Sequence, residues 1–373
     1  MMQKIVLVAL TLCIIVLSIA GCKDDYSIIK ATTEDNPEYA AGFKIEEIGN
    51  NCQKVIDAEG QSFVLVPEGK KVPADYANLP SVSTPVKDVV ILSVTFGALM
   101  RPLGVIDSIV GSGTLENELY IDEMKQGYAS GRIKYVGGGG MGAPDFEMIK
   151  ALNLDVVFCS TYYADSVKYY EQLKELGVTV VACNDFLETD PLARFEWIKF
   201  IAAFYDKEET AETYFNNIEK KIDDIKAKTK LSSRLASVLW TSIWSGTCYV
   251  SGGESYTAKM VEMAGGEYLF KDLSGSVGTA ISLEELYSRG QNCNVFIYAS
   301  TPPYINSIKE IVEGGPVLAD LPVIKAGEVY CFQPWYFQIA DKPDELVQDL
   351  AYIFYPNLFP GYQLKNFMKL PAN

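Results

Sequence analysis

The chain has 373 residues, 49% of them hydrophobic and 21% charged, a globular balance long enough for one large or two medium domains. It contains no histidine, which excludes Ser-His-Asp and Cys-His catalytic arrangements and imidazole metal clusters. A net charge of −16 lacks the basic face that tracking a phosphate backbone requires, so no nucleic-acid partner is expected.

Residues 1–22 read MMQKIVLVALTLCIIVLSIAGC, with Lys4 ahead of an uncharged, largely apolar run over residues 5–20. That run is shorter than the roughly 20 residues that span a bilayer as a helix. A short apolar segment ending in small residues predicts a secretory signal over residues 1–21. Ile19-Ala20-Gly21-Cys22 resembles a lipobox, in which the Cys22 thiol takes an acyl chain and becomes the mature N-terminus. An uncleaved anchor helix would equally leave the protein outside the cell and tethered. Polar residues 22–42 read as a flexible tether. Cys52, Cys159, Cys183, Cys248, Cys293 and Cys331 are widely spaced and carry no CxxC pattern, so no zinc site is expected. Disulfides are permitted outside the cell, but spacing alone does not pair them.

Residues 43–84 form an N-terminal extension in which FKIEEIG and QSFVLVPEG alternate as strands, with turns at Asn50-Asn51 and Glu59-Gly60. From residue 85 the texture becomes strand, turn, helix. VVILSV (89–94), LDVVFCS (154–160) and VTVVACND (178–185) are apolar runs suited to parallel strands buried on both faces. Thr95 is a candidate N-cap after the first of them. SVKYYEQLKEL is helical. Residues 207–226 are the clearest helix: Asp206 is placed as its cap, and Ala211, Tyr214, Phe215, Ile218, Ile222 and Ile225 follow the i, i+3, i+4 rule. The alternation then restarts with RLASVLW (234–240), SYTAKMVEMAG (255–265), NVFIYAS (294–300), SIKEIVEG (307–314), GEVYCF (327–332) and a last helix over 341–354. The expected class is α/β: a lobe over 85–205, a helix over 206–230 and a second lobe over 231–373.

Gly137-Gly138-Gly139-Gly140-Met141-Gly142 satisfies GxGxxG, but the next strand ends Phe158-Cys159-Ser160 without the acidic residue a dinucleotide site needs. The run reads as a loop placed to line a cleft. Paired carboxylates for a glycosidase-type hydrolase have no distinguishing context among 48 acids. Glu147 in PDFEMIKAL and Glu284 in ISLEEL each sit in the first turn of an expected helix. They serve either as dipole compensation or as a matched pair of surface acids, one per lobe, for a partner's arginines. Aromatic residues crowd the strand exits, where α/β sheets bind ligands. Phe96, Tyr162, Tyr163, Trp244, Tyr256, Trp335 and Tyr336 are the candidate ligand contacts. Arg101, Arg132, Arg194, Arg234 and Arg289 all lie outside those loops, so a polyanionic ligand would lack its bidentate clamps.

Six segments, in order, resemble the iron-siderophore and cobalamin class of ABC-transporter substrate-binding proteins. They are VKDVVILSVTFGALMRPLGVIDSIVGSG (86–113), PDFEMIKALNLDVVF (144–158), ELGVTVVACND (175–185), YVSGGESYTAKMVEMAGGEYLF (249–270), ISLEEL (281–286) and LPVIKAGEVYCF (321–332). The resemblance implies two Rossmann-like lobes with central parallel sheets, joined by one long rigid helix, with ligand held between them. It implies that Glu147 and Glu284 are docking glutamates for an ABC permease that works with its ATPase. It further implies a monomeric, non-enzymatic protein without a cofactor, anchored in the membrane through Cys22. A ferric hydroxamate-type siderophore or a corrinoid is the expected cargo, and haem held by a tyrosinate is the alternative. Residues 43–84 exceed the family's minimal core.

Overall fold

The computed structural model describes residues 37–139, 142–276 and 278–373. The signal segment, Cys22 and tether residues 22–36 lie outside the described residues.

Strands Val89–Ile91, Ile109–Ser112, Lys134–Tyr135, Val156–Cys159 and Val180–Ala182 form an all-parallel sheet. Their spatial order is third, second, first, fourth, fifth, so the direction of strand addition reverses between Val89–Ile91 and Val156–Cys159. Helices such as Val94–Met100 and Ala164–Glu175 connect them. Successive strand residues point to opposite faces, so both faces must be apolar. Val89, Ile91 and Phe158 enter a large core, whereas Val90, Val157 and Val180 enter a second one.

The second lobe is built on Ala236–Trp244, which pairs in parallel with Gly266–Tyr268 and Val295–Tyr298; the latter pairs in parallel with Val329–Phe332. Antiparallel strands Thr247–Val250, Thr279–Ile281 and Phe367–Lys369 extend the edges. The parallel centre matches the expected class, and the antiparallel edges are an addition to it. The large core runs without a break from Val89 and Phe158 to Phe296 and Val329, so the two lobes share one hydrophobic interior.

Helix Glu208–Thr229 bridges the lobes over about 33 Å. Ala211, Phe215, Ile218, Ile222 and Ile225 are buried at the expected helical spacing. Phe215 stacks on Phe195 of the first lobe, and Lys221 pairs with Asp344 of the second at 3.0 Å. Two cap assignments are corrected. Asp206 does not cap this helix: it has a positive φ of 53° and accepts a hydrogen bond from the Thr84 hydroxyl, and Lys207 takes the cap position. Ser93, not Thr95, caps Val94–Met100 by accepting from the Thr95 N–H.

The extension forms a sheet of its own, Lys44–Gly49, Cys52–Ile56, Ser62–Pro67 and Ser81–Thr84. Asn50 and Asn51, with φ of 56° and 59°, supply the paired left-handed conformation of a tight hairpin turn. Helix Pro191–Ala203 was not expected from the sequence. It is buried nearly all round, so it shows no amphipathic period.

The expected tether also ends earlier than residue 42. Glu196, fully buried in Pro191–Ala203, accepts the backbone N–H groups of Glu38, Tyr39 and Ala40 at 2.8–2.9 Å. Glu188 accepts those of Ala41 and Gly42 and the indole N–H of Trp197. The Tyr39 hydroxyl donates to Glu219 on the bridging helix. Residues 38–42 are therefore part of the folded body. Removing the Glu196 acceptor leaves three backbone donors without a protein partner. Glu196→Ala is expected to lower the unfolding free energy by about 1–3 kcal/mol in urea titration and to open residues 38–42 to protease. Unchanged stability and cleavage would show that this clamp carries no load.

Candidate functional site

The loops leaving the carboxyl ends of all five first-lobe strands converge. Ser93, Thr114, Gly139, Ser160 and Asp185 each come from a different loop and line one cavity of about 790 Å³. Phe337 and Gln338 of the second lobe close its side. A further cavity of about 530 Å³ lies between the lobes, with Thr95, Asp185, Phe186 and Arg194 on one wall and Trp240, Tyr256, Phe332 and Tyr336 on the other. Asp185, Phe186 and Phe337 line both, so the two spaces adjoin and together make up the cleft. It sits where a parallel sheet presents its strand ends at a topological switch, and its size suits a bulky small molecule.

The glycine run belongs to this wall. A Cβ on Gly139 would stand 2.1 Å from the Gly113 carbonyl oxygen, so only glycine lets these two loops press together. Gly140 and Met141 lie outside the described residues.

A polar seam holds the lobes at the cleft. Arg101 donates from Nε to one oxygen of Asp341 at 3.0 Å and from a terminal nitrogen to the other at 2.5 Å. Asp341 is 1% exposed, and such a buried pair is costly to break on one side. Nearby, the Gln338 amide donates to the Glu118 carbonyl and accepts from the Tyr120 N–H, both at 2.7 Å.

The aromatic candidates separate into groups. Tyr163, Tyr256 and Tyr336 line the cleft. Tyr336 stacks on Phe332 with ring centroids 3.9 Å apart. Four others do not line these cavities. Phe96 is a correction: it is fully buried in the core because it falls on the inner face of its helix, while its neighbour Thr95 faces the cleft. Tyr162 packs edge-on against Phe186 and Tyr163 from behind. Trp335 donates to Asn366. Trp244, 73% exposed, ends its strand at a hairpin turn away from both spaces.

Sequence reasoning left every arginine out of the cleft, and Arg194 corrects that. Held at the start of the unforeseen helix Pro191–Ala203, it donates to the carbonyls of Phe186 and Glu188 and lies 3.8 Å over the Tyr256 ring. Its charge thus bridges the lobes through a cation–π contact. Asp185 was also missed as a wall residue, although its position just beyond a strand's carboxyl end marks it.

Glu147 and Glu284 occupy equivalent places. Each is exposed in the first turn of a short helix, Phe146–Ala151 or Leu283–Gly290. The helices are capped by Asp145 and Ser282, which accept from Met148 and Glu285 N–H groups. Neither glutamate forms an ion pair among the described residues. Cys52, Cys159, Cys183, Cys248, Cys293 and Cys331 are buried and unbridged, and burial pushes the Cys248 and Cys331 thiols up to about 11.

Burial pushes the Asp185 carboxyl up to about 6, with Arg194 pulling it down and Glu188 adding to the rise. A folded carboxyl that holds its proton more tightly than its ordinary 3.8 contributes stability that is full below about pH 4 and lost as pH rises through about 6. Asp185→Asn is expected to flatten that decline and to raise stability at pH 7 by up to ~3 kcal/mol. Urea unfolding at pH 4 to 7 checks it, and parallel curves for the two proteins would overturn it.

The family model described as periplasmic binding protein matches residues 89–334, which span the first-lobe sheet, the bridging helix and the second-lobe strands through Val329–Phe332. An uncharacterized lipoprotein of Methanocaldococcus jannaschii is 33% identical over 328 residues, covering 84% of this chain and 77% of that protein. A second uncharacterized lipoprotein of the same organism is 26% identical over 388 residues, covering 96% and 97%. Among solved structures, a periplasmic heme-binding protein from Pseudomonas aeruginosa superposes with a TM-score of 0.61 at 18% identity, covering 77% of this chain and 100% of that one. Helicobacter pylori CeuE in a nickel–histidine complex gives 0.62 at 17%, covering 84% and 91%. At such identities these structures speak for the fold. With two lobes, a connecting helix, a cleft at the strand ends and a family match over residues 89–334, the chain belongs to the periplasmic binding protein family.

Proposed function

We propose that this protein is a lipid-anchored, extracytoplasmic substrate-binding protein that captures a bulky metal chelate and delivers it to an ABC permease and its ATPase. The observation that carries this reading is the pair of adjoining cavities between two lobes that share a core and are pinned by the Arg101–Asp341 seam. A preformed space of this kind selects cargo by shape, with little closure. The metal would arrive inside its own chelator: the chain has no histidine, and among the described residues no cluster of three or more Cys, Asp or Glu side chains is placed to hold an ion.

The charge of the walls narrows the cargo. Glu118 and Asp185 contribute acid, and the Arg194 guanidinium is engaged by two carbonyls and the Tyr256 face. Polyanions gain little there. A neutral or cationic complex, such as a ferric hydroxamate or a corrinoid, fits better than a catecholate or haem with its two propionates. Tyrosinate ligation of haem is further disfavoured at Tyr170, whose buried phenol is held well above its ordinary value and donates to Gln61.

Fluorescence titration tests the charge argument: a ferric tris-hydroxamate is expected to bind at least tenfold more tightly than a ferric tris-catecholate. The reverse order would remove the case for an acid-walled, cation-tolerant cleft. Docking is tested separately. Changing Glu147→Arg and Glu284→Arg together is expected to abolish uptake in membrane vesicles containing the permease while leaving chelate affinity within twofold. Uptake that survives both changes would refute docking through these glutamates.

A further inference from the structure

The matched family span begins at residue 89, so the sheet over residues 44–84 stands outside it. We propose that the hairpin turn of this added sheet, residues 57–61, is a positioning element of the ligand cleft, setting its wall through Glu59 and Asp57. The proposal rests on the reading of the cleft as a ligand site.

The turn is closed by Asp57 N–H to the Gln61 carbonyl and Gly60 N–H to the Asp57 carbonyl, with Gly60 at a φ of +78° that favours glycine. It docks on Val180–Ala182, the edge strand of the first-lobe sheet. There the Ala58 N–H donates to the Ala182 carbonyl at 3.1 Å, and the Ala182 N–H donates to Asp57 Oδ2 at 2.9 Å. The other Asp57 oxygen accepts from the N–H groups of Glu59 and Gln61. An exposed sheet edge is thereby covered.

Glu59 then reaches the cleft wall from behind. Its carboxylate accepts the hydroxyl of Thr161, which is fully buried. Because that hydroxyl donates to Glu59, its oxygen is free to accept from Asn184 Nδ2, at 2.8 Å. The Asn184 amide is then oriented so that its Oδ1 accepts the Thr161 N–H at 2.9 Å. The chain of three bonds has one consistent sense. Thr161 lies between wall residues Ser160 and Tyr163, and Asn184 precedes Asp185 and Phe186. Gln61 also accepts from the hydroxyl of Tyr170, another wall residue, at 2.7 Å. One turn therefore braces the loops that leave the fourth and fifth strands.

The test compares Glu59→Ala with Glu59→Gln, whose amide oxygen can still accept from Thr161, and with Thr161→Val. In ligand-free protein, Glu59→Ala and Thr161→Val are expected to speed backbone hydrogen exchange at least fivefold in peptides covering residues 160–163 and 184–187. Peptides covering Val329–Phe332 should not change, and Glu59→Gln should restore wild-type rates. Exchange as slow as wild type in Glu59→Ala, or equal acceleration everywhere, overturns the proposal. With a ferric tris-hydroxamate as probe, Glu59→Ala should bind at least fivefold more weakly and Glu59→Gln within twofold of wild type; undiminished binding by Glu59→Ala also overturns it. If the wild type does not take up this probe, the cargo reading fails, while the exchange measurement still decides the role of the turn.

Discussion

The cleft depends on a fixed spacing between its two walls, and that spacing is set by the seam between the lobes. Arg101 and Asp341 meet in a two-pronged, largely dehydrated ion pair, and the Gln338 side chain imitates a strand partner for the backbone of Glu118 and Tyr120. Neither contact alone would hold two domains together. They lie beside a continuous apolar interior and a bridging helix packed on both lobes, so separation would expose buried aromatic surface and a buried charge at once. The polar contacts supply register, and the apolar ones supply most of the cohesion.

Within that frame, the two halves of the cleft differ in kind. The first lobe offers small and hydroxylated groups on backbone loops, with glycines allowing close loop packing, and adds the rings of Tyr163 and Phe186. The second offers stacked rings, Phe332 on Tyr336, flanked by Trp240 and Tyr256. A ligand of the proposed kind would meet hydrogen-bonding groups and the rings of Tyr163 and Phe186 on one side and stacked aromatic faces on the other. Arg194 is shared between them: it secures the 186–188 backbone and reaches under the aromatic side, so its charge is structural before it is available to cargo.

Much of this was legible in the residues. Doubly buried parallel strands announce themselves as short apolar runs, and the bridging helix as an unbroken i, i+3, i+4 register. Glu147 and Glu284 stand in the first turns where their capped contexts placed them. What escaped did so for identifiable reasons. Helix Pro191–Ala203 is apolar on every side, so no period marks it, and with it went the position of Arg194. Phe96 and Thr95 are adjacent in sequence but face opposite ways, and only the helix phase, set by the Ser93 cap, tells which one reaches the cleft. The docking of residues 38–42 hinges on two glutamates some 150 positions away, a relationship no local pattern carries. The added sheet's place beside the fifth strand is equally non-local.

That early docking has a mechanical outcome. Both ends of the bridging helix lie by the amino ends of the strands: Phe204 pairs with Val86 just ahead of one sheet, and Thr229 leads into Ala236 at the start of the other. Tyr39 is held against this helix, so the described chain begins beside it. Between the acyl site proposed at Cys22 and Glu38 there are fifteen residues, sixteen Cα steps whose greatest reach is about 55 Å. A folded body of this size is itself about 50 Å across. With acylation at Cys22 as proposed, the greatest separation of the folded body from the bilayer is then about its own diameter.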